Sequence, residues 1–191
     1  EGCSIAPAVN ERLKVQGMIL LSGFTGNVFD ATAYQTENVI NEINNLKGVR
    51  GILLRLFTSE QKINKQNKKL DSIIMSSNKP VIIIRGQKIN AKWYREHKSH
   101  NIDNSLKKIE CPLLAVVGSK DAQVRPDHTK LMGDIVKCPF EYHIIDDMNH
   151  ILRNQIEPIT MLDLKKIYLT EVNTPIEPKL DRKSTRLNSS H

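Results

Sequence analysis

Cysteine is scarce in this 191-residue sequence, which contains three: Cys3, Cys111 and Cys138. They form no Cys-x-x-Cys pair and no spacing typical of metal ligands, so neither a disulfide framework nor a zinc site is expected to organise the fold. Sparse cysteines in odd number are typical of free thiols in a reducing compartment, and we expect a cytoplasmic protein. A cysteine nucleophile is a minor alternative, and Cys111 is expected in the core because an apolar run follows it.

Long apolar runs are also missing. No run approaches the roughly 18 residues that span a bilayer, and no basic segment followed by an apolar stretch opens the chain. We therefore expect no membrane span and no secretory signal. Hydrophobic residues make up 39% of the sequence and charged residues 26%, which is typical of a globular domain with a buried core.

Acidic residues are few in one part of the chain. The formal net charge is +7, but the segment from Arg50 to Lys108 holds 14 Lys/Arg and 4 Asp/Glu, a net of +10. Such a basic block is typical of nucleic-acid binding, of attraction to anionic membranes, or of a solvated helical insertion. Aromatic residues are only 5% of the chain, and no nucleic-acid-binding motif accompanies the charge. We favour the insertion and expect no nucleic-acid partner; a basic surface-binding module remains an alternative.

Apolar runs of strand length alternate with segments of helical periodicity. This alternation predicts an α/β fold with a parallel sheet. The predicted strands are Val15–Ser22, Pro112–Gly118 and Glu141–Ile145, and the predicted helices are Cys3–Leu13, about residues 30–46, Asp127–Val136 and part of Ile156–Leu169.

Two polar residues follow the last two predicted strands. Asp121 comes three residues after Gly118, and His150 lies in the loop that follows Ile145. Because ligands bind beyond the carboxyl ends of parallel strands, both side chains are candidates for a site at that edge. We expect the two side chains to lie within hydrogen-bond reach of each other.

These two segments resemble the end of the α/β-hydrolase fold. The resemblance rests on Pro-apolar-Gly-x-x-Asp, from Pro112 to Asp121, and on Asn-His-apolar at Asn149 and His150. In that family the nucleophilic serine, the acid and the histidine follow in this order along the chain. The resemblance implies that Asp121 orients His150, and that His150 takes the serine proton and returns it to the leaving group.

The first residues resemble another motif of the same family. Glu1-Gly2 is similar to the last two residues of a Gly-x-Ser-x-Gly nucleophile elbow, which implies a C-terminal fragment that begins just after the serine. The backbone N–H of Glu1 would then belong to the oxyanion hole. The implied activity is cleavage of an ester or related acyl bond in a small molecule, with no metal and no cofactor, and the fragment alone would be inactive. A non-catalytic binding protein on the same fold is the alternative.

Three other residues are weaker candidates for the nucleophile or the acid. Ser4, in Gly-Cys-Ser-Ile-Ala, imitates the elbow but lacks the strand that must precede one. Asp146 and Asp147 rank below Asp121 as the acid, because they are too close to His150 in the chain.

The resemblance also implies a domain division. Residues 1–48 are the core segment after the elbow, residues 49–108 are a helical cap insertion, and residues 109–180 are the C-terminal core with the acid and histidine loops. Residues 181–191 are interpreted as a non-native tail, since they are polar and lack apolar periodicity. The sequence assigns no oligomeric state.

Overall fold

The computed structural model describes residues 1–180, and the tail assigned to residues 181–191 lies outside the described residues. In chain order the elements are α1 (Gly2–Asn10), β1 (Met18–Leu21), α2 (Val28–Asn45), α3 (Gly48–Phe57), α4 (Glu60–Met75), β2 (Val81–Ile84), β3 (Gln87–Asn90), α5 (Ala91–Ser99), α6 (Ile102–Leu106), β4 (Leu113–Gly118), α7 (Asp127–Leu131), β5 (Phe140–Ile145) and α8 (Leu164–Glu171). A short 3₁₀ helix, Met132–Asp134, follows α7.

The chain divides into two compact units. One, here called the sheet unit, contains Glu1–Asn38 and the described residues from Asn101 to Leu180; the other, here called the basic unit, is Val39–His100. These bounds differ from the expected insertion at residues 49–108, and the division into hydrolase core and cap remains a prediction.

The sheet unit is built on a three-stranded parallel sheet in the order β1-β4-β5, which confirms the α/β class. All six residues of β4 are buried, as expected for a central strand of the apolar sequence LLAVVG. Successive β4 side chains point to opposite faces of the sheet and pack in two separate cores. On one face, Leu113 and Ala115 pack with Leu20 and Met132. On the other face, Leu114 and Val116 pack with Ile145 and Met148. Their burial holds the carboxyl ends of the strands together at one edge.

Two segments with predicted helices are only partly α-helical in the structure. The helix predicted over Asp127–Val136 changes to a 3₁₀ turn at Met132. In the segment Ile156–Leu169 only the part from Leu164 is helical. Before it, the carbonyls of Gln155 and Ile156 accept hydrogen bonds from the Lys120 ammonium.

The basic unit contains α3, α4, α5 and an antiparallel hairpin of β2 and β3. Arg85 and Gly86 form its two-residue turn, both with positive φ, 50° and 79°, as in the turns that match strand twist. The segment predicted to be a helical insertion therefore also contains two short strands. The first, Val-Ile-Ile-Ile, is rich in β-branched residues, whereas the second, Gln-Lys-Ile-Asn, has no strong β signal. Among the helices of residues 1–180, none combines the length and the apolar character that crossing a bilayer requires.

The contact between the ends of β4 and β5 leaves no room for a side chain at Gly118. A Cβ built there would lie 1.8 Å from the carbonyl oxygen of Met148, whereas one at Gly17 would meet nothing closer than 3.8 Å. We expect Gly118→Ala to force the acid and histidine loops apart and lower the free energy of unfolding by about 1–3 kcal/mol. Urea unfolding of both alanine variants measures this, with Gly17→Ala as the control. Equal midpoints for the two variants would contradict the close approach.

Candidate active site

Asp121 and His150 form a hydrogen-bonded pair at the carboxyl edge of the sheet. The Nδ1 of His150 lies 2.9 Å from Oδ2 of Asp121 and 3.1 Å from its Oδ1. The Asp121 residue is fully buried, while the His150 side chain keeps 31% of its surface exposed. A neutral ring that donates from Nδ1 to the carboxylate leaves Nε2 as a proton acceptor. The predicted contact is therefore present, and the pair has the geometry of an oriented general base.

Asp121 is held by its own loop, residues 119–126, here called the acid loop. Its backbone N–H donates to the carbonyl of Gly118, and its Oδ1 accepts the backbone N–H groups of Gln123 and Val124, both at 2.9 Å. These bonds fix the rotamer of the Asp121 carboxylate independently of its hydrogen bond with His150. Such a turn, in which a short acidic side chain bonds the backbone two residues on, is a local property of the sequence after β4.

The histidine loop is organised by Asn149, which is buried and uses its amide on both sides. Its Oδ1 accepts from the backbone N–H groups of Ile151 and Arg153, both at 3.1 Å. Its Nδ2 donates to Gln155 Oε1 at 3.2 Å and to the carboxylate of Glu171. With all four of these partners present, the loop takes one conformation around His150.

Backbone strain marks the same loop. Asp147 and Leu152, which flank the histidine, both have left-handed backbone with φ of 60° and 62°. For a bulky residue such as leucine this conformation is an outlier, and it persists only where surrounding contacts impose it. The two positions turn the chain sharply on either side of His150.

Lys120 ties the two loops together. Its Nζ donates to the carbonyls of Gln155 (2.6 Å) and Ile156 (3.1 Å) and pairs with Oδ1 of Asp147 at 2.9 Å. The neighbouring backbone adds bonds from Lys120 N to Met148 O and from Asp147 N to the Ser119 hydroxyl. The residue next to the acid thus holds the histidine loop from both ends.

Helix α8 supports the pair from the other side. The Tyr168 hydroxyl accepts a hydrogen bond from Gln123 Nε2 at 3.3 Å, which joins α8 to the loop that carries Asp121. Burial raises the pKa of Tyr168 to about 12, so the hydroxyl stays protonated at neutral pH. One turn further, burial also raises the pKa of Glu171, which the hydrogen bond from Asn149 partly opposes.

Helix α1 begins at the same edge of the sheet. The Cys3 thiol in its first turn donates to the carbonyl of Leu21, the last residue of β1, at 2.9 Å. Glu1 is the N-cap of this helix, and its carbonyl accepts the backbone N–H of Ser4. Because α1 begins at the carboxyl edge of the sheet, the positive end of its dipole lies there. It would stabilise a negative charge that develops at that edge.

The rival residues are engaged elsewhere. The buried Ser4 hydroxyl donates to the Glu1 carbonyl at 2.8 Å within the helix. Asp147 pairs with Lys120, and Asp146 is exposed. Burial raises the pKa of the Cys3 and Cys138 thiols, which disfavours the thiolate that a cysteine nucleophile needs.

The other histidines described also have local partners. His143 pairs with Glu141, His128 Nδ1 lies 3.1 Å from both the backbone N and the hydroxyl of Thr25, and the His97 ring stacks on Trp93. Within residues 1–180, no three His, Cys, Asp or Glu side chains are grouped closely enough to hold a metal ion.

An apolar cavity of about 420 Å³ is lined by residues of the two loops and of α8. Its lining includes Gln123 from the acid loop and Ile151 from the histidine loop. The rest comes from α8 and the residue after it: Leu164, Lys165, Tyr168, Leu169 and Val172.

Several supporting residues were not predicted from the sequence. Lys120 was adjacent to the predicted acid, but nothing in its local sequence showed that its side chain would cross to residues 147–156. Tyr168 and Glu171 are three residues apart, a spacing that places both on one face of a helix. That spacing could have drawn attention to them.

Comparison with known proteins gives fold-level neighbours. No family model matches the chain, and no curated protein matches it. Among solved structures, Est1E from Butyrivibrio proteoclasticus, with ferulic acid bound, has a TM-score of 0.42 and 14% sequence identity, over 90% of this chain and 56% of that one. Rv0554 from Mycobacterium tuberculosis has a TM-score of 0.41 and 14% identity, over 88% and 62%. Both are members of the α/β-hydrolase fold, and this chain spans about three fifths of their length.

Removing the ammonium of Lys120 should loosen the histidine loop. We expect Lys120→Met to lower the free energy of unfolding by about 1.5–3 kcal/mol, because two carbonyls and a carboxylate lose a charged partner. Lys130→Met, at an exposed lysine of α7, is the matched control for chain length and charge. Thermal unfolding of both variants measures the effect. If both variants melt alike, Lys120 does not bridge the loops.

The raised pKa of Glu171 sets a direction for pH dependence. A carboxyl that is more basic in the folded chain than in the unfolded one stabilises the fold in acid, and this contribution is lost as the pH rises through the raised pKa. Glu171→Gln keeps an acceptor for Asn149 and removes the titration. We therefore expect this variant to gain stability relative to the original chain between about pH 4 and pH 7.

Urea unfolding at the two pH values measures that difference. Glu110→Gln, at an exposed carboxylate just before the amino end of the central strand β4, is the control for the loss of one acidic charge. A stability difference for Glu171→Gln that stays constant, or shrinks as the pH rises, would show that the direction is wrong.

Proposed function

We propose that this chain carries the acid and the base of a serine hydrolase that cleaves an ester or related acyl bond of a small molecule. Asp121 is the acid and His150 the base. The nucleophilic serine directly precedes Glu1 in the longer protein, and the backbone N–H of Glu1 contributes to the oxyanion hole. The observation that carries the proposal is the buried Asp121 carboxylate bonded to a half-exposed imidazole at the carboxyl edge of a parallel sheet.

The chemistry follows from the free face of the imidazole. His150 Nε2 takes the proton of the serine hydroxyl as its oxygen attacks the acyl carbon, and the oxyanion that forms is stabilised by backbone N–H groups. The imidazolium then gives this proton to the leaving alcohol, and an acyl-serine remains. Water attacks the acyl-serine with the same histidine as base, which releases the acid and restores the hydroxyl.

Asp121 acts through the histidine. Its carboxylate keeps the proton on Nδ1 and offsets the positive charge of the imidazolium. The two backbone N–H groups on Oδ1 hold the carboxylate in place during both proton transfers. Lys120 and Tyr168 are positioning residues, since Lys120 bonds residues 147, 155 and 156 of the histidine loop and Tyr168 accepts from Gln123 of the acid loop.

The beginning of α1 supports the place given to the nucleophile. In a parallel α/β sheet the nucleophile of such an enzyme lies between a strand and the helix that follows it. The first turn of α1 lies beside Leu21 at the end of β1, at the edge where the acid and histidine loops also lie. This position of α1 supports a nucleophile placed before Glu1 at that edge of the sheet.

The test uses the parent protein with the residues that precede Glu1. We expect it to hydrolyse p-nitrophenyl acetate, and we expect His150→Ala and Asp121→Asn each to lower kcat by roughly 10³–10⁴-fold. His143→Ala is the matched control, because that histidine pairs with Glu141 on β5 and has no proposed role. An alkyl phosphonate followed by peptide mass spectrometry should label the serine before Glu1.

Each contrary result has a defined meaning. A phosphonate label on Ser4 would move the nucleophile into this chain. Unchanged kcat in His150→Ala would remove the histidine from the mechanism. A folded parent protein with neither turnover nor label would favour a binding protein on the same fold.

A further inference from the structure

Helix α3 in the basic unit exposes its apolar side. Five residues, here called the α3 stripe, are each between 51% and 78% exposed. They are Val49, Ile52, Leu53, Leu56 and Phe57. At 100° per residue these positions fall within an arc of roughly 140° on one side of the helix. The stripe is thus a continuous apolar face.

The opposite side of α3 makes the contacts within the unit. Gly51 is buried, and a Cβ there would lie 2.2 Å from the carbonyl oxygen of Leu46. Arg55, on the same side, donates from Nη1 to the carbonyls of Ile43, Asn44 and Leu46 at the end of α2. Packing by a glycine and an arginine therefore turns the apolar face of the helix outward, the reverse of an ordinary amphipathic surface helix.

The surroundings of the stripe are strongly basic. The unit Val39–His100 contains 13 Lys/Arg and 4 Asp/Glu, a formal net of +9. Exposed lysines continue directly from the stripe into α4 at positions 62, 65, 68 and 69. The Nζ of Lys62 donates to the carbonyl of Leu56 at 3.0 Å, so this cation lies next to the end of the stripe.

We propose that α3 binds an anionic lipid surface, with the α3 stripe inserted at the boundary of the acyl chains and the α4 lysines among the headgroups. An apolar helix face bordered by lysine and arginine is the pattern of helices that lie in the plane of a membrane interface. Positive charge near the surface of an anionic leaflet adds attraction that falls off within a Debye length.

Charge also decides against other occupants of the stripe. A second copy of the chain would bring two units of net +9 together, and their repulsion opposes self-association through this face. The lysines would attract nucleic acid. Proteins bind nucleic acid through phosphate contacts and aromatic stacking, however, and the aliphatic residues of the stripe offer neither. This inference does not depend on the hydrolase proposal.

Co-sedimentation of the full 191-residue chain with lipid vesicles tests the proposal. We expect binding to phosphatidylcholine vesicles that contain about 30% phosphatidylserine to be at least tenfold tighter than to phosphatidylcholine alone. Raising the salt from about 0.1 M to about 1 M should weaken it, because the Debye length falls from roughly 10 Å to 3 Å.

Two sets of variants separate the apolar and the electrostatic contributions. Leu53→Ser with Phe57→Ser should lower binding to the anionic vesicles on the order of tenfold, because less apolar area enters the interface. Lys65→Gln with Lys68→Gln and Lys69→Gln should lower it and reduce its salt dependence. The matched control is Leu13→Ser with Ile156→Ser, at apolar residues of the sheet unit that are 67% and 88% exposed; it should bind as the original chain does. Circular dichroism establishes that all variants fold.

Three results would overturn the proposal. The first is no binding of the folded chain to the anionic vesicles. The second is binding that the lysine substitutions abolish and the stripe substitutions leave unchanged, which indicates a purely electrostatic surface. The third is a dimer in light scattering that the stripe substitutions dissociate, without vesicle binding, which indicates self-association.

Discussion

The close approach of two backbone segments at Gly118 is the constraint on which the candidate site depends. The missing side chain lets the carbonyl of Met148 lie against the end of β4, and the turn that carries Asp121 starts from the same glycine. Any Cβ there would separate the acid loop from the histidine loop before a single polar contact between them could form. Hydrogen bonds then refine a geometry that backbone sterics have already made possible.

The polar contacts around the pair form a second layer of support. Asp121, Lys120 and Asn149 each bond at least three groups, and nearly all of their partners are backbone atoms or buried side chains. In a region of low dielectric such bonds reinforce one another, and an unpaired member would be costly. This layer explains how strained backbone at Leu152 is maintained beside the histidine.

The sequence predicted the parts of the molecule that local patterns encode. The apolar run Leu113–Gly118 identified the central strand, and the strand-to-loop positions of Asp121 and His150 identified the pair, because both signals are contained in a few consecutive residues. Lys120 and Glu171 could not be assigned in this way, since their roles depend on which distant segments the fold brings to them. The outward stripe of α3 was hidden for the same reason: periodicity shows that a helix is amphipathic but not which side its neighbours cover.

Helix α8 has eight residues, fewer than an isolated helix needs to persist in water. It exists because Tyr168 and Glu171 bind the loops of the sheet unit, and those loops in turn are ordered by it. Neither α8 nor the loops are ordered without the other, so the helix and the loops become ordered together. The orientation of the imidazole is consequently a property of tertiary assembly, because it depends on contacts between α8 and the loops and not on either part alone.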